Sequence, residues 1–240
     1  MTTLARIAIG LIIAVFLSSC AFDINFGNGK KGNGVVVNET REITDEFTII
    51  TASEGLQVYV TQAKDFNIEV EADENIIDLI GTDIRDGRLK VHAIENIGNA
   101  TKKVYVSLPD ITAIKASSGA QLTSENTIKS NNLEVDGSSG AILNAEFIAS
   151  EVDIEASSGA NLSVSGTADK AEVDVSSGGN INAKELEVKT CRADASSGGN
   201  IKIHVSKSLT ADASSGGSIS YLGEPNVETK KSVSGSVHKY

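Results

Sequence analysis

The sequence predicts an all-β fold: a single-stranded, right-handed parallel β-helix with coils of about 19 residues. Three observations carry this. The phrase Ser-Ser-Gly occurs six times, beginning at Ser117, Ser138, Ser157, Ser176, Ser196 and Ser214, at intervals of 21, 19, 19, 20 and 18 residues. A fixed period near 20 marks a solenoid, whose coils bury their apolar faces only against neighbouring coils. Columns aligned on the phrase alternate with period two. Ile114, Val135, Ile154, Val173, Ala193 and Ala211 are apolar, the residue after each is charged, and the next is small. Three residues past each Gly stands Leu122, Leu143, Leu162, Ile181, Ile201 or Ile219. That alternation belongs to strands with one face in and one out, and no stretch here keeps a helical period. Composition agrees: aromatics are 4%, Trp is absent, and Gly numbers 22 against 2 Pro. Thin aliphatic layers with glycine corners fit that profile.

Residues 1–19 read as an export signal. Arg6 precedes an apolar run, Ile7 to Leu17, too short to span a bilayer. Residues 20–40 hold Gly27, Gly29, Gly32 and Gly34 with Lys30-Lys31 and read as a flexible tether. The spacing Gly27-x-Gly29-x-x-Gly32 matches a dinucleotide fingerprint in form, but no strand precedes it and no helix follows, so it is set aside.

Residues 41–240 are the β-helix. From 41 to 113 the repeat is degenerate, with alternating strands at Phe47/Ile49, Leu56/Val58/Val60, Ile68/Val70, Leu89/Val91 and Val104/Val106/Leu108. Ser53-Glu54-Gly55-Leu56 reads as a diverged corner, Asp73 to Ile80 as a short helix or loop, and Asp86-Gly87 as a hairpin turn. This part is expected to continue the solenoid and cap it. Residues 114–221 are the regular coils, in which the second Ser of each corner is expected to point inward. Residues 222–240 close the last coil, around Ser234-Gly235, with His238 to Tyr240 fraying.

The chain carries a net charge of −11, which argues against nucleic acid. Six equivalent serines lack a His or acid at constant offset, so no catalytic residue is expected. No cofactor or metal motif stands out; His92, His204 and His238 show no ligand spacing. Cys191 falls in the inward column of Leu133, Val152, Ala171 and Leu209 and reads as a buried small hydrophobe. The notable surface feature is acidic. Asp136, Glu155, Asp174, Asp194 and Asp212 form one column, Glu134, Asp153 and Glu172 a second, interrupted by Lys115 and Arg192. These eight carboxylates form a solvated face that keeps the solenoid soluble, or a site for Ca²⁺ or a basic partner. The adjoining face (Gln121, Thr123, Asn144, Asn161, Ser163, Asn180, Asn182, Asn200, Ser218, Ser220) is uncharged, with amides and hydroxyls suited to glycans or to each other.

Two resemblances add to this. Leu17-Ser18-Ser19-Cys20 resembles the lipobox of bacterial lipoproteins. It implies an acylated Cys20 that anchors the protein in a membrane, by analogy the outer one, facing periplasm or surface. Second, a series of motifs resembles the DUF2807 family, also called the putative autotransporter adhesin, head GIN domain. These are Arg41-Glu42-Ile43 with Phe47-Thr48-Ile49-Ile50, Val58-Tyr59-Val60-Thr61-Gln62, Glu71-Ala72-Asp73-Glu74-Asn75, Asp86-Gly87-Arg88-Leu89-Lys90-Val91, and Val104–Pro109 followed by Ile114–Gly119. The resemblance covers roughly Arg41 to Tyr221. It implies a single-stranded parallel β-helix of the Bacteroidetes lipoprotein type and brings no catalytic residues. The expected function is a non-enzymatic interaction, adhesion-like or structural module of the cell envelope with a glycan or protein partner. Glycan or Ca²⁺ binding on the ladder faces is the alternative, and a polysaccharide-acting enzyme a third reading. The last would need aromatic platforms, for which the repeats offer Phe147 and Tyr221.

Overall fold

A computed structural model describes residues 29–229 and 234–240. The export segment and Cys20 lie outside the described residues. Among the described residues seventeen strands form one continuous sheet: β1 (Val36–Thr40), β2 (Ile49–Ala52), β3 (Gln57–Gln62), β4 (Asn67–Asp73), β5 (Ile80–Arg85), β6 (Arg88–Ala93), β7 (Lys102–Leu108), β8 (Ala113–Ala116), β9 (Gln121–Ser124), β10 (Ile128–Gly137), β11 (Ile142–Ala156), β12 (Asn161–Val175), β13 (Asn180–Ala195), β14 (Asn200–Ala213), β15 (Ser218–Leu222), β16 (Asn226–Thr229) and β17 (Ser236–Lys239). Helical structure among the described residues is one 3-10 turn, Ile77–Leu79, inside the stretch read as a short helix or loop.

From β8 onward every pairing is parallel and joins consecutive coils, so the chain is a β-solenoid. The aliphatic columns stack as the repeat predicts. Leu122, Leu143, Leu162, Ile181, Ile201 and Ile219 lie in register and are buried, as are Val135, Ile154, Val173, Ala193 and Ala211. Each apolar row thus removes its surface from water against the coils on either side, at roughly 25 cal/mol per Å².

The Ser-Ser-Gly corner is a tight turn. Its second Ser and its Gly both take positive φ, as in Ser118 (51°) and Gly119 (72°), and the N–H two residues past the second Ser donates back to the first Ser, as Ala120 does to Ser117 at 3.0 Å. Positive φ at both central positions is the type I′ pattern. The second Ser is therefore exposed, not inward: strand alternation stops where the backbone turns left-handed. The corners also join one another. The Gly N–H of each coil donates to the second-Ser carbonyl of the next, from Gly55→Ser118 to Gly216→Ser234, at 2.8 to 3.2 Å. The diverged corner at Ser53 behaves alike, with Glu54 at φ 57° and Gly55 at 67°.

The N-terminal part departs from a simple run of coils. β2 and β3 stack in parallel on β8 and β9, but on their other side lie β6 and β7, which come later in the chain. The chain moves outward, reverses through the Asp86-Gly87 hairpin, and returns outside its own first coil. β4 with β7, β1 with β4, and β5 with β6 are antiparallel, forming a cap over the end of the stack.

The stretch read as a flexible tether is, from Gly29 on, docked on this cap. Lys30 bridges Ile97, the Gly32 N–H donates to the Asn99 carbonyl, and β1 pairs along its length with β4. Buried Asp73 accepts from the backbone N–H of Gly34 and of Thr101, both at 2.6 Å. The glycine at 32 is there for approach: a Cβ would fall 2.3 Å from the Asp73 carboxylate.

At the other end, His238 to Tyr240 do not fray. β17 pairs with β15, and the Tyr240 N–H donates to the Tyr221 carbonyl. Lys239 occupies the inward column of Ile203 and Tyr221 and pairs with Glu224. A lysine at an inward position of an edge strand opposes addition of a further strand.

Candidate functional site

Two ladder faces flank the corner, because the turn sends one strand of each coil up to it and the next away. The acidic face is assembled as the columns predict. Asp136, Glu155, Asp174, Asp194 and Asp212 are register neighbours in that order, with Lys115 preceding. Beside them run Glu134, Asp153, Glu172, Arg192 and Thr210. Rungs about 4.8 Å apart bring these carboxylates within unscreened range of one another. Lys115 pairs with Glu134; Arg192 pairs with Asp194 at 2.8 Å and Glu172 at 3.6 Å.

Partial burial, then neighbouring carboxylates, push Asp153, Glu155 and Asp174 above the ordinary carboxylate range; for Asp136 burial leads, opposed by Lys115. The folded chain thus holds these protons more tightly than the unfolded one. Their stabilisation is present below the ordinary carboxylate pKa and is lost as pH rises through the raised values. Glu71, lowered mainly by its hydrogen bond from Lys103, acts in the opposite sense. With four groups against one, thermal unfolding followed by circular dichroism is expected to shift to higher temperature as pH falls from about 7 to about 4.5. Salt at neutral pH should recover only the part due to neighbouring charge. A monotonic loss of stability over that window would contradict this.

Among the described residues no three His, Cys, Asp or Glu side chains converge with metal-binding geometry. The five carboxylates of the Asp136 column lie in line along the coils. Cys191 is buried, and burial pushes its thiol up to about 12, so it packs as a small apolar group.

The second face is the polar ladder. Two columns line it in register: Gln57, Gln121, Ile142, Asn161, Asn180, Asn200, Ser218 and Ser236, and Tyr59, Thr123, Asn144, Ser163, Asn182, Lys202, Ser220 and His238. Ser220 and His238 close it at one end, Oγ to Nε2 at 3.0 Å. A hollow of about 310 Å³ opens in its middle beside Asn144, Ser163 and Asn182.

Sequence reasoning missed the other end. Tyr59 and Tyr105 occupy adjacent rungs of β3 and β7 and stack, centroids 5.1 Å apart and planes at 18°. The Tyr105 hydroxyl donates to Glu71 Oε2 at 3.1 Å, and Lys103 Nζ donates to Glu71 Oε1 at 2.8 Å. The available signal was the identical triplet Val58-Tyr59-Val60 and Val104-Tyr105-Val106. Phe147, named as a candidate platform, is fully buried and serves the core.

A family model described as "Putative auto-transporter adhesin, head GIN domain" (DUF2807) matches residues 46–225. Among solved structures, one described as a "putative adhesin" from Bacteroides fragilis superposes with TM-score 0.79 at 20% identity, over 88% of this chain and all of that one. A "putative adhesin" from Parabacteroides merdae gives 0.66 at 21%, over 89% and 99%. A "putative lipid binding protein" from Parabacteroides distasonis gives 0.66 at 18%, over 88% and 99%. At such identities the likeness is one of fold. No curated protein matches. Among the described residues no helix is long and apolar enough to cross a membrane.

Proposed function

This chain belongs to the DUF2807 family, and from that premise we propose that it is a non-enzymatic, adhesion-like module of the cell envelope whose polar ladder is the binding face. It is displayed from the membrane by an acylated Cys20. The observation that carries the reading is the register. Amides and hydroxyls, interrupted by Ile142 and Lys202, repeat at about 4.8 Å along a rigid sheet, so the face offers a partner a pre-ordered array with little left to immobilise. The named relatives support it to the extent of their names, two being those of adhesins and one that of a lipid-binding protein.

The test is binding of the purified chain from Ala21 onward, which contains every described residue, to native envelope fractions. Saturable binding should weaken at least about tenfold when Asn180 and Asn200 become Ala, as for central contact residues. It should stay unchanged when Asp174 and Asp194 become Asn. The reverse pattern would move the partner to the acidic face.

That reversal is the second reading, supported by the raised carboxylates, whose protonation or neutralisation relieves the face. In that case millimolar Ca²⁺ or a basic partner would raise the melting temperature, through Asp136, Glu155, Asp174, Asp194 and Asp212. In-line carboxylates offer only part of the six to eight oxygens that Ca²⁺ takes.

A further inference from the structure

We propose that the Tyr59 end of the polar ladder is a saccharide subsite, where an uncharged sugar ring rests on Thr123 with its C–H face against the Tyr59 ring. This deepens the reading of the polar ladder as the binding face and rests on it.

Tyr105, Tyr59, Thr123 and Asn144 follow one another in register. Because Tyr59 stacks on Tyr105, its ring stands across the ladder axis: one face meets Tyr105 and the other looks toward the rung of Thr123. Threonine ends at its γ atoms, so nothing in its own column reaches the outer part of that face. The result is a shelf with an aromatic wall, about one rung deep. The hydroxyl of Tyr105 on Glu71, itself held by Lys103, props the wall from behind.

The surroundings select the ligand class. Gln57 and Gln121 flank the shelf in the adjoining column, Asn144 lies on its far side, and Ile142, 41% exposed, sits diagonally across it. None of these carries charge, although the chain as a whole is strongly acidic. Amides offer donors and acceptors together, which suits hydroxyls that are both. An aromatic face and an aliphatic side chain suit the apolar side of a pyranose. The charges nearest the shelf are the Lys103–Glu71 pair, already satisfied, and Glu69, the register partner of Tyr105, which disfavours an anionic ligand, and a purely apolar one would leave the amides unpaired. The hollow beyond Asn144 adds Ser163, Asn182 and the carboxylates of Glu146 and Glu185, which accept from hydroxyls, so further rings can follow down the ladder.

The test uses the protein's own fluorescence. The chain has four Tyr and no Trp, so tyrosine emission is not masked. A panel of neutral tetrasaccharides built from glucose, galactose, mannose or N-acetylglucosamine is titrated against the chain from Ala21 onward. At least one is expected to change the emission saturably. Tyr59→Ala should weaken that binding at least about tenfold, and Tyr59→Phe less than about threefold, since the ring and not the hydroxyl makes the contact. Thr123→Phe keeps Tyr59 but fills the shelf, and should abolish binding even if Tyr59→Ala fails to fold. Sugar binding untouched by Thr123→Phe would overturn the subsite while leaving the binding face in place. No sugar binding by the unaltered chain, with envelope binding still lost in the Asn180/Asn200 variant, would overturn the ligand class. Absence of both would remove the wider reading with it.

Discussion

Replacing Gly166 by alanine is expected to destabilise the fold by about 3 kcal/mol or more. Gly166 has φ +113°, outside the region that L side chains adopt readily. A Cβ there would lie 1.9 Å from the carbonyl oxygen of Phe147, its register partner on β11. That oxygen is backbone, in a strand paired on both sides, and cannot give way without disturbing two coils. Phe147 itself is one of the two largest fully buried side chains, and in its column (Ile128, Phe147, Gly166, Leu186) the glycine is the one small residue, set between Phe147 and Leu186. In a chain this size the loss corresponds to roughly 6–12 °C in Tm. Gly140→Ala is the control. It also has positive φ, at 72°, but nothing lies within 4 Å of its Cβ position, so only the backbone preference, about 1 kcal/mol, is at stake. Urea titration of both variants separates the two contributions; equal losses would contradict the clash.

Asp73→Ala is the second large effect, and it is local. The carboxylate accepts two short backbone hydrogen bonds, from Gly34 and Thr101, while buried. Removing it strands both N–H groups. At about 1.5–3 kcal/mol for each bond to a charged acceptor, the cap should lose about 3–6 kcal/mol, of which the Gly34 bond, about half, is what attaches the strap from Lys30 to Thr40. Hydrogen exchange should show the amides of Gly32, Gly34 and β1 losing protection, while β11 to β14 keep theirs. Uniform loss over the whole chain would mean the cap and the coils unfold as one unit. The outcome bears on the proposed function, in which an acylated Cys20 would pull on this strap.

The repeat made the solenoid legible because each coil faces the same physical problem and answers it with the same residues. The inward Leu/Ile column, the corner glycines and the in-register carboxylates follow from that repetition. The misses follow from places where repetition or alternation ends. Parity placed the second Ser inward, but two consecutive left-handed residues break the alternation. Composition made the segment around Gly29 and Gly32 a tether, yet those glycines permit contact: Gly29 lies against Asn96 and Gly98, Gly32 against Asp73. Alternating strands in 41–113 could be recognised, but alternation does not encode direction, so the antiparallel cap was hidden. The Tyr59–Tyr105 stack escaped because the two triplets lie 46 residues apart, outside the regular period.

The most direct measurement of the central claim is hydroxyl-radical footprinting of the chain with and without bound envelope material. The polar face as binding face predicts protection in 57–61, 121–124, 142–146, 161–165, 180–182 and 200–204. The acidic segments 134–136, 153–155, 172–174 and 192–194 should stay as reactive as in the free protein. Protection confined to the acidic segments, or spread evenly around the coils, would contradict it.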